Sequence, residues 1–191
     1  MTGQINVNKI AARTGTAITV ESGHVITQPG SIVQTVSGST STLVNVASTS
    51  FADTGLTANI TPKFSTSKIL ITAAVAGGLN SNYGYNFRFR VVKTPSGISG
   101  QTDQAIGIAA SGAYAMTGGY NLYEADASIP YIFGMSKTFM DSPTTTDTIN
   151  YRIQVSHSHS SSGAIVYVNR RGTNSDWTAI SSLTLMEVKE T

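Results

Sequence analysis

The stretch STSFADTGLTANITPKFSTSKILITAAVAGG, residues 48–78, decides how the chain is read. Leu56, Ala58 and Ile60 alternate with Thr57, Asn59 and Thr61. A period of two puts one apolar and one polar row on an extended strand. Pro62 lacks a backbone donor and holds Ile60-Thr61 extended, so the strand ends there. The polar run Phe64–Ser67 then carries the chain round into a second strand, Lys68–Val75, which Gly77-Gly78 is expected to stop. Two antiparallel strands joined by a structured turn are the seed of a β-sandwich.

Working outward, the same signature recurs. Ile32–Val36 and Thr42–Val46 precede the stretch, and the segment YGYNFRFRVV, residues 83–92, follows it. In that segment Tyr83, Tyr85, Phe87, Phe89 and Val91 share one row, and Asn86, Arg88 and Arg90 the other. The first row enters a core, and the second meets water or a partner. Residues 95–103 read as a loop, Gln104–Ala110 as a weak strand, and the Gly-rich Ser111–Tyr120 as a second long loop. Another strand begins at Leu122-Tyr123. Ile129–Met135, Thr148–Val155, Ala164–Asn169 and Leu183–Val188 complete about ten short strands. No run of a dozen residues carries a helical period. The fold class expected is all-β: an antiparallel β-sandwich, jelly-roll-like, over residues 31–191.

Composition bounds the function. The 191 residues suit one domain of ordinary size, and 40% hydrophobic residues suffice for its core. Charged residues are only 12%, about half the usual share. The net charge is +2 with basic residues scattered, so the basic stripe of a nucleic-acid-binding protein is missing. No apolar run approaches the roughly eighteen residues of a membrane span. With no cysteine, disulfides and thiolate metal sites are excluded, and stability rests on packing and assembly. MTGQINVNKIAAR, at the N-terminus, lacks the apolar centre of a signal peptide. Synthesis and assembly in a cytoplasm agree with this.

Residues 1–12 hold only isolated Ile5, Val7 and Ile10. They read as an arm that gains order by docking on another chain, or as a plain tail. Residues 13–30, RTGTAITVESGHVITQPG, hold two tiny strands and end at Gln28-Pro-Gly30. They read as a short stem or as a first hairpin of the globular domain. In Ala164–Val168 both rows are apolar, which suggests that a neighbouring subunit covers one face.

Three groups of words carry a resemblance: "TSFADTGL…ITPKFSTSKILI", "TINYRIQVS" (148–156) and "SSLTLMEVKE" (181–190). The chain resembles virion structural proteins of tailed bacteriophages, particularly small tail-fibre and fibre-like proteins, over most of residues 31–191. TGTxITVxSG phrases like that in the stem occur in shafts of trimeric phage fibres. The resemblance therefore implies a homotrimer, located in the virion after assembly in the host cytoplasm. Residues 1–30 would be the docking arm and stem, attached to other virion proteins, and residues 31–191 the head. It further implies a short tail fibre that meets the host surface, with a capsid decoration or cement protein as the alternative. A free carbohydrate-binding module is a third class, and would not need the arm.

Catalysis needs a nucleophile with a base, paired carboxylates in a cleft, or a metal set. None stands out, so a non-enzyme without cofactor is expected. Glu124 and Asp126 read as solvated loop acids, and Asp141, Asp147 and Asp176 as turn residues. His157-Ser-His159 continues the parity of Ile149, Tyr151, Ile153 and Val155. Neutral imidazole is a common metal ligand, so this pair is the candidate metal site. The tract SHSHSSSG equally reads as an exposed hairpin turn. Resemblance again adds that His-x-His pairs bind iron on the axis of some phage fibre and spike tips. Tyr114, Tyr120 and Trp177 lie beside Gly, Asn and Ser in loops. Planar aromatics in that setting make adaptable binding surfaces and stack on sugar rings, so these three are the candidate receptor contacts for a host-surface polysaccharide. For Trp177, close to the final strand, a place in the core is the competing reading.

Overall fold

The computed structural model describes residues 28–80, 85–95, 104–106, 116–122, 132–158, 163–172 and 176–190. Among them are eleven strands and no helix. They are β1 (Ile32–Thr40), β2 (Val44–Val46), β3 (Ala52–Ile60), β4 (Lys68–Leu79), β5 (Tyr85–Pro95), β6 (Gln104–Ile106), β7 (Gly118–Leu122), β8 (Phe133–Asp141), β9 (Ile149–His157), β10 (Val166–Val168) and β11 (Ser181–Val188). All pairings are antiparallel. The six-stranded sheet runs β1-β11-β4-β10-β2 with β8 on the other edge of β4, and the five-stranded sheet runs β3-β9-β5-β6 with β7 also on β5. From β2 to β5, and again from β7 to β10, consecutive strands alternate between the sheets. That is a jelly-roll-like antiparallel sandwich, as the sequence led us to expect.

The core is made by the inward rows, which follow the strand period. Ile69, Ile71, Ala73 and Val75 of β4 face Leu56, Ala58 and Ile60 of β3, Phe87, Phe89 and Val91 of β5, and Ile149, Tyr151, Ile153 and Val155 of β9 in one cluster. Leu183 and Leu185 of β11 join it. Each fully buried aliphatic or aromatic side chain contributes about 1.5–3 kcal/mol relative to exposure.

Several boundaries differ from the sequence reading, each for a stated cause. Strands β3 and β4 do not pair with each other. The turn between them crosses from one sheet to the other. Gly77 and Gly78 do not end β4, which continues to Leu79. A Cβ on Gly77 would strike the Phe87 ring and lie 2.6 Å from the Tyr167 carbonyl, so this glycine marks a close approach and no stop. Gly118-Gly119 belongs to β7 for the same reason, since a side chain at Gly118 would meet the Phe89 ring at 2.6 Å. The doubly apolar segment 164–168 needs no second subunit. β10 lies between β4 and β2, Val166 and Val168 are buried, and the half-buried Tyr167 is covered by the Arg170 guanidinium 4.3 Å from its ring centre.

The outward row of β5 also departs from expectation. Arg88 is 1% exposed because Ser48–Phe51 folds over it. Its guanidinium donates to the carbonyls of Thr49 (3.0 Å) and His157, and the Phe51 ring lies under both Arg88 and Arg90. The rest of that outer face is a hydrogen-bonded polar network: Arg152 and Gln154 both donate to Asp53, Arg90 to Gln154, and Arg152 to Thr94.

Two buried polar residues fasten the connections between strands, Glu187 at the sheet-switching β3–β4 turn and Asn169 between the β1–β2 and β10–β11 connections. Glu187 is fully buried on the inward row of β11 and accepts from the Lys63 and Phe64 amides (2.8 and 3.2 Å) and from Gln34 Nε2 (2.6 Å). It thereby satisfies amides that the Pro62 turn leaves without sheet partners. Asn169, with φ 62°, donates from one amide nitrogen to the carbonyls of Thr40 and Thr42 and accepts from Ser181 Oγ. Glu187→Ala would take their acceptor from the part-buried Lys63 and Phe64 amides and one of two acceptors from Gln34, and lower stability by about 2 kcal/mol. Gly77→Ala would cost about 1–3 kcal/mol by overpacking. Urea unfolding of both variants, with Asn59→Ala as a surface reference, measures these losses.

Candidate binding groove and the buried clusters

The site is built from a ring stack at one end of the sandwich. Phe87 points inward from β5, and Phe133, the first residue of β8, meets it edge-on at 5.3 Å and 89°. Tyr120 of β7 then stacks on Phe133 at 4.6 Å and 17°, leaving Tyr120 44% exposed. The stack exists because Gly118 and Gly119 let β7 lie directly against β5. Offset aromatic pairs of this kind are worth about 0.5–1.5 kcal/mol beyond their burial.

Trp177 comes from the segment that turns back between β10 and β11. Arg171 N donates to the Trp177 carbonyl and Ala179 N to the Asn169 carbonyl, while Arg170 and Thr178 form a bridge. Gly172 seats this turn on β4, since any side chain there would collide with the Leu79 carbonyl. Arg171 lies 5.4 Å from the Trp177 ring centre and pairs with Asp176 at 2.9 Å. The indole is 59% exposed, so Trp177 is a surface residue on a fixed base and the core reading falls.

Between Ile132–Gly134 on one wall and Asp176–Ala179 on the other, with Ala76 as floor, lies an open groove of about 570 Å³. The fold thus brings two of the three sequence-chosen aromatics to one place: Trp177 lines the groove and Tyr120 is stacked on its Phe133 wall. Phe133 itself went unnoticed in the sequence reading. Tyr114 lies outside the described residues.

His157 has the inward direction its parity implied, opposite Phe87 in the β5–β9 register, and is 3% exposed. Its own backbone is engaged by Ser48 and Arg88. A side chain enclosed within one chain is not presented to an axis between chains. His159 lies outside the described residues, and among those described no three His, Cys, Asp or Glu residues converge as a metal set.

Asp141 is not the turn residue the sequence suggested. It ends β8 and accepts from Lys93 Nζ on both oxygens (2.9 and 2.8 Å) and from Tyr151 Oη (2.8 Å). This cluster ties β5, β8 and β9 together. Burial first, then the charge of Asp141 and its hydrogen bond, push the Tyr151 hydroxyl well above the ordinary tyrosine range. A phenol held so firmly protonated is a donor and a poor base or nucleophile.

No family model and no curated protein matches the sequence. Among solved structures the chain is similar to Eiger TNF from S. frugiperda, at TM-score 0.41 and 10% identity over 82% of this chain and 94% of that one. It is also similar to a chain in the structure of infectious bursal disease virus Gx strain (TM-score 0.33, 14% identity, 91% of this chain). A third likeness is to the VP2 subviral particle of infectious bursal disease virus (0.34, 14%, 92%). The chain spans 42% of each of the two viral chains. At these values the likeness assigns neither a family nor an activity.

Tyr151 supplies a pH test. Its folded pKa lies above the unfolded value of about 10, so the unfolded chain releases a proton that the folded chain keeps. The stability this gives is fully present below about pH 10 and is lost as pH rises beyond it. Urea midpoints for the native chain should fall between pH 10 and 11.5 more steeply than those of Tyr151→Phe. Equal slopes would remove Tyr151 as the cause.

Proposed function

We propose that this chain is a non-enzymatic virion structural protein, a short trimeric tail fibre of a tailed bacteriophage. Residues 1–30 dock it on other virion proteins, and the head of residues 31–191 touches the host surface. The observation that carries the host-contact part is the groove at the end of the sandwich. An exposed indole and a stacked Tyr120–Phe133 pair stand at its sides, each on backbone that glycine-permitted close packing fixes in place. Rigid planar aromatics lose little entropy on contact and suit the apolar faces of sugar rings. A host-surface polysaccharide is the ligand class this favours. Weak binding at each groove would be multiplied in a trimer by effective concentration.

A capsid decoration protein needs an arm and a β head as well, but has no use for such a groove. Imaging the protein on the particle separates the two locations. For the groove itself, the measurement is binding of the intact protein to host cells or immobilised surface glycan. Tyr120→Ala and Trp177→Ala should each lower it by 10-fold or more, while Trp177→Ala shifts the melting temperature by no more than about 2 °C, as expected for a surface change. Full binding by both variants would rule out the groove as the receptor site.

A further inference from the structure

The outer face of the six-stranded sheet differs in charge from the outer face of the five-stranded sheet among the described residues. Across β1, β11, β4 and β8 its cross-strand rows read Thr35–Met186–Leu70–Met140, then Ser37–Thr184–Thr72–Thr138, then Ser39–Ser182–Ala74–Ser136. Ile32 and Val188 lie beyond the first row, and Ile180, 68% exposed, lies beyond the last. The charge at its margin is Lys68, which pairs with Glu190 at 2.5 Å. The opposite outer face, by contrast, carries Asp53, Arg88, Arg90 and Arg152.

We infer that this face is where three copies of the chain pack together, with the six-stranded sheets turned inward about a threefold axis. Two physical arguments select the occupant. At a threefold axis the side chains nearest to it, here those of the central strands β11 and β4, meet their own equivalents, so a charge in those rows would meet like charge. A face four strands wide without a charge in its three central rows meets that condition, and the Arg-rich opposite face does not.

The second argument is width. Four strands spaced about 4.8 Å apart make a face about 19 Å across, and three such faces closed as a triangular prism stand about 5.5 Å from the axis. That is half of the roughly 10 Å that separates two packed sheets, so short Ser, Thr and Ala side chains fill the interior without a channel. From the Ile32–Val188 pair to the Ser39–Ser182 pair, short of the groove at Ala76 and Gly134, the face runs about seven residues of each strand, roughly 24 Å. Its plan area of roughly 450 Å², before side-chain relief, is over half of the about 800 Å² of accessible surface each partner contributes to a stable interface.

This inference rests on the trimeric reading above, and its test separates the two. Light scattering on the full chain should give three times the 20.0 kDa chain mass. Thr72→Glu puts a charge at the centre of the face and should reduce the mass to one third while the β circular dichroism spectrum persists. Asn59→Glu on the opposite sheet should remain trimeric. Should Thr72→Glu fail to fold, Thr72→Cys decides: in a chain with no cysteine, a short bismaleimide should then link two chains on a denaturing gel. A trimer that survives Thr72→Glu, or that gives no Thr72→Cys cross-link, overturns the assignment of the face and leaves the trimer standing. A monomeric or dimeric native chain overturns both.

Discussion

The rest of the structure depends on β4 being hydrogen-bonded along both edges while burying one face. Its first half pairs with β11 and its last residues with β10 on one edge, and β8 runs along the other. A strand so enclosed has no free backbone groups to satisfy elsewhere, and its side chains are held to one direction by register. Ile69, Ile71, Ala73 and Val75 therefore form the floor of the core, and everything in the second sheet is set against them. The outer face, without charge in its three central rows, is the other side of the same strand.

Polar burial follows a consistent rule here. Glu187 is buried beside the β3–β4 turn, where the chain leaves one sheet for the other, and Asn169 where two connections within the six-stranded sheet meet; each accepts or donates to backbone that has no ladder partner. Asp141 holds Lys93 and Tyr151 between three strands. These groups fasten crossings. The groove beside Trp177 is lined mainly by aromatic and apolar side chains, with Thr178 and the Asp176 carboxylate as its polar groups.

Glycine was the signal most easily misread. In sequence, Gly77-Gly78 looks like the end of a strand and Gly118-Gly119 like part of a loop, because glycine usually punctuates chain direction. In the fold they lie inside β4 and β7, where the rings of Phe87 and Phe89 occupy the space a Cβ would need. The rings and the glycines are far apart in sequence, so only their pairing across strands exposes the reason. The same holds for Arg88, whose alternation with Phe87 and Phe89 predicted an outward side chain. The direction was right, but the covering segment Ser48–Phe51 comes from a distant part of the chain.

What the sequence by itself determined is the β class, the inward rows of β3, β5 and β9, the absence of disulfides and the choice of Tyr120 and Trp177 as aromatics outside the core rows. These follow from local period and composition, which act within a few residues. The tertiary structure alone decided that β3 and β4 part into separate sheets, that Phe133 joins Tyr120 and Trp177 beside one groove, and that His157 is enclosed. It also decided that the outer rows of four separate strands line up as one surface without charge. Each of those depends on strand order and register between residues far apart in the chain. Side-chain alternation repeats identically under many such orders, so it leaves the order open.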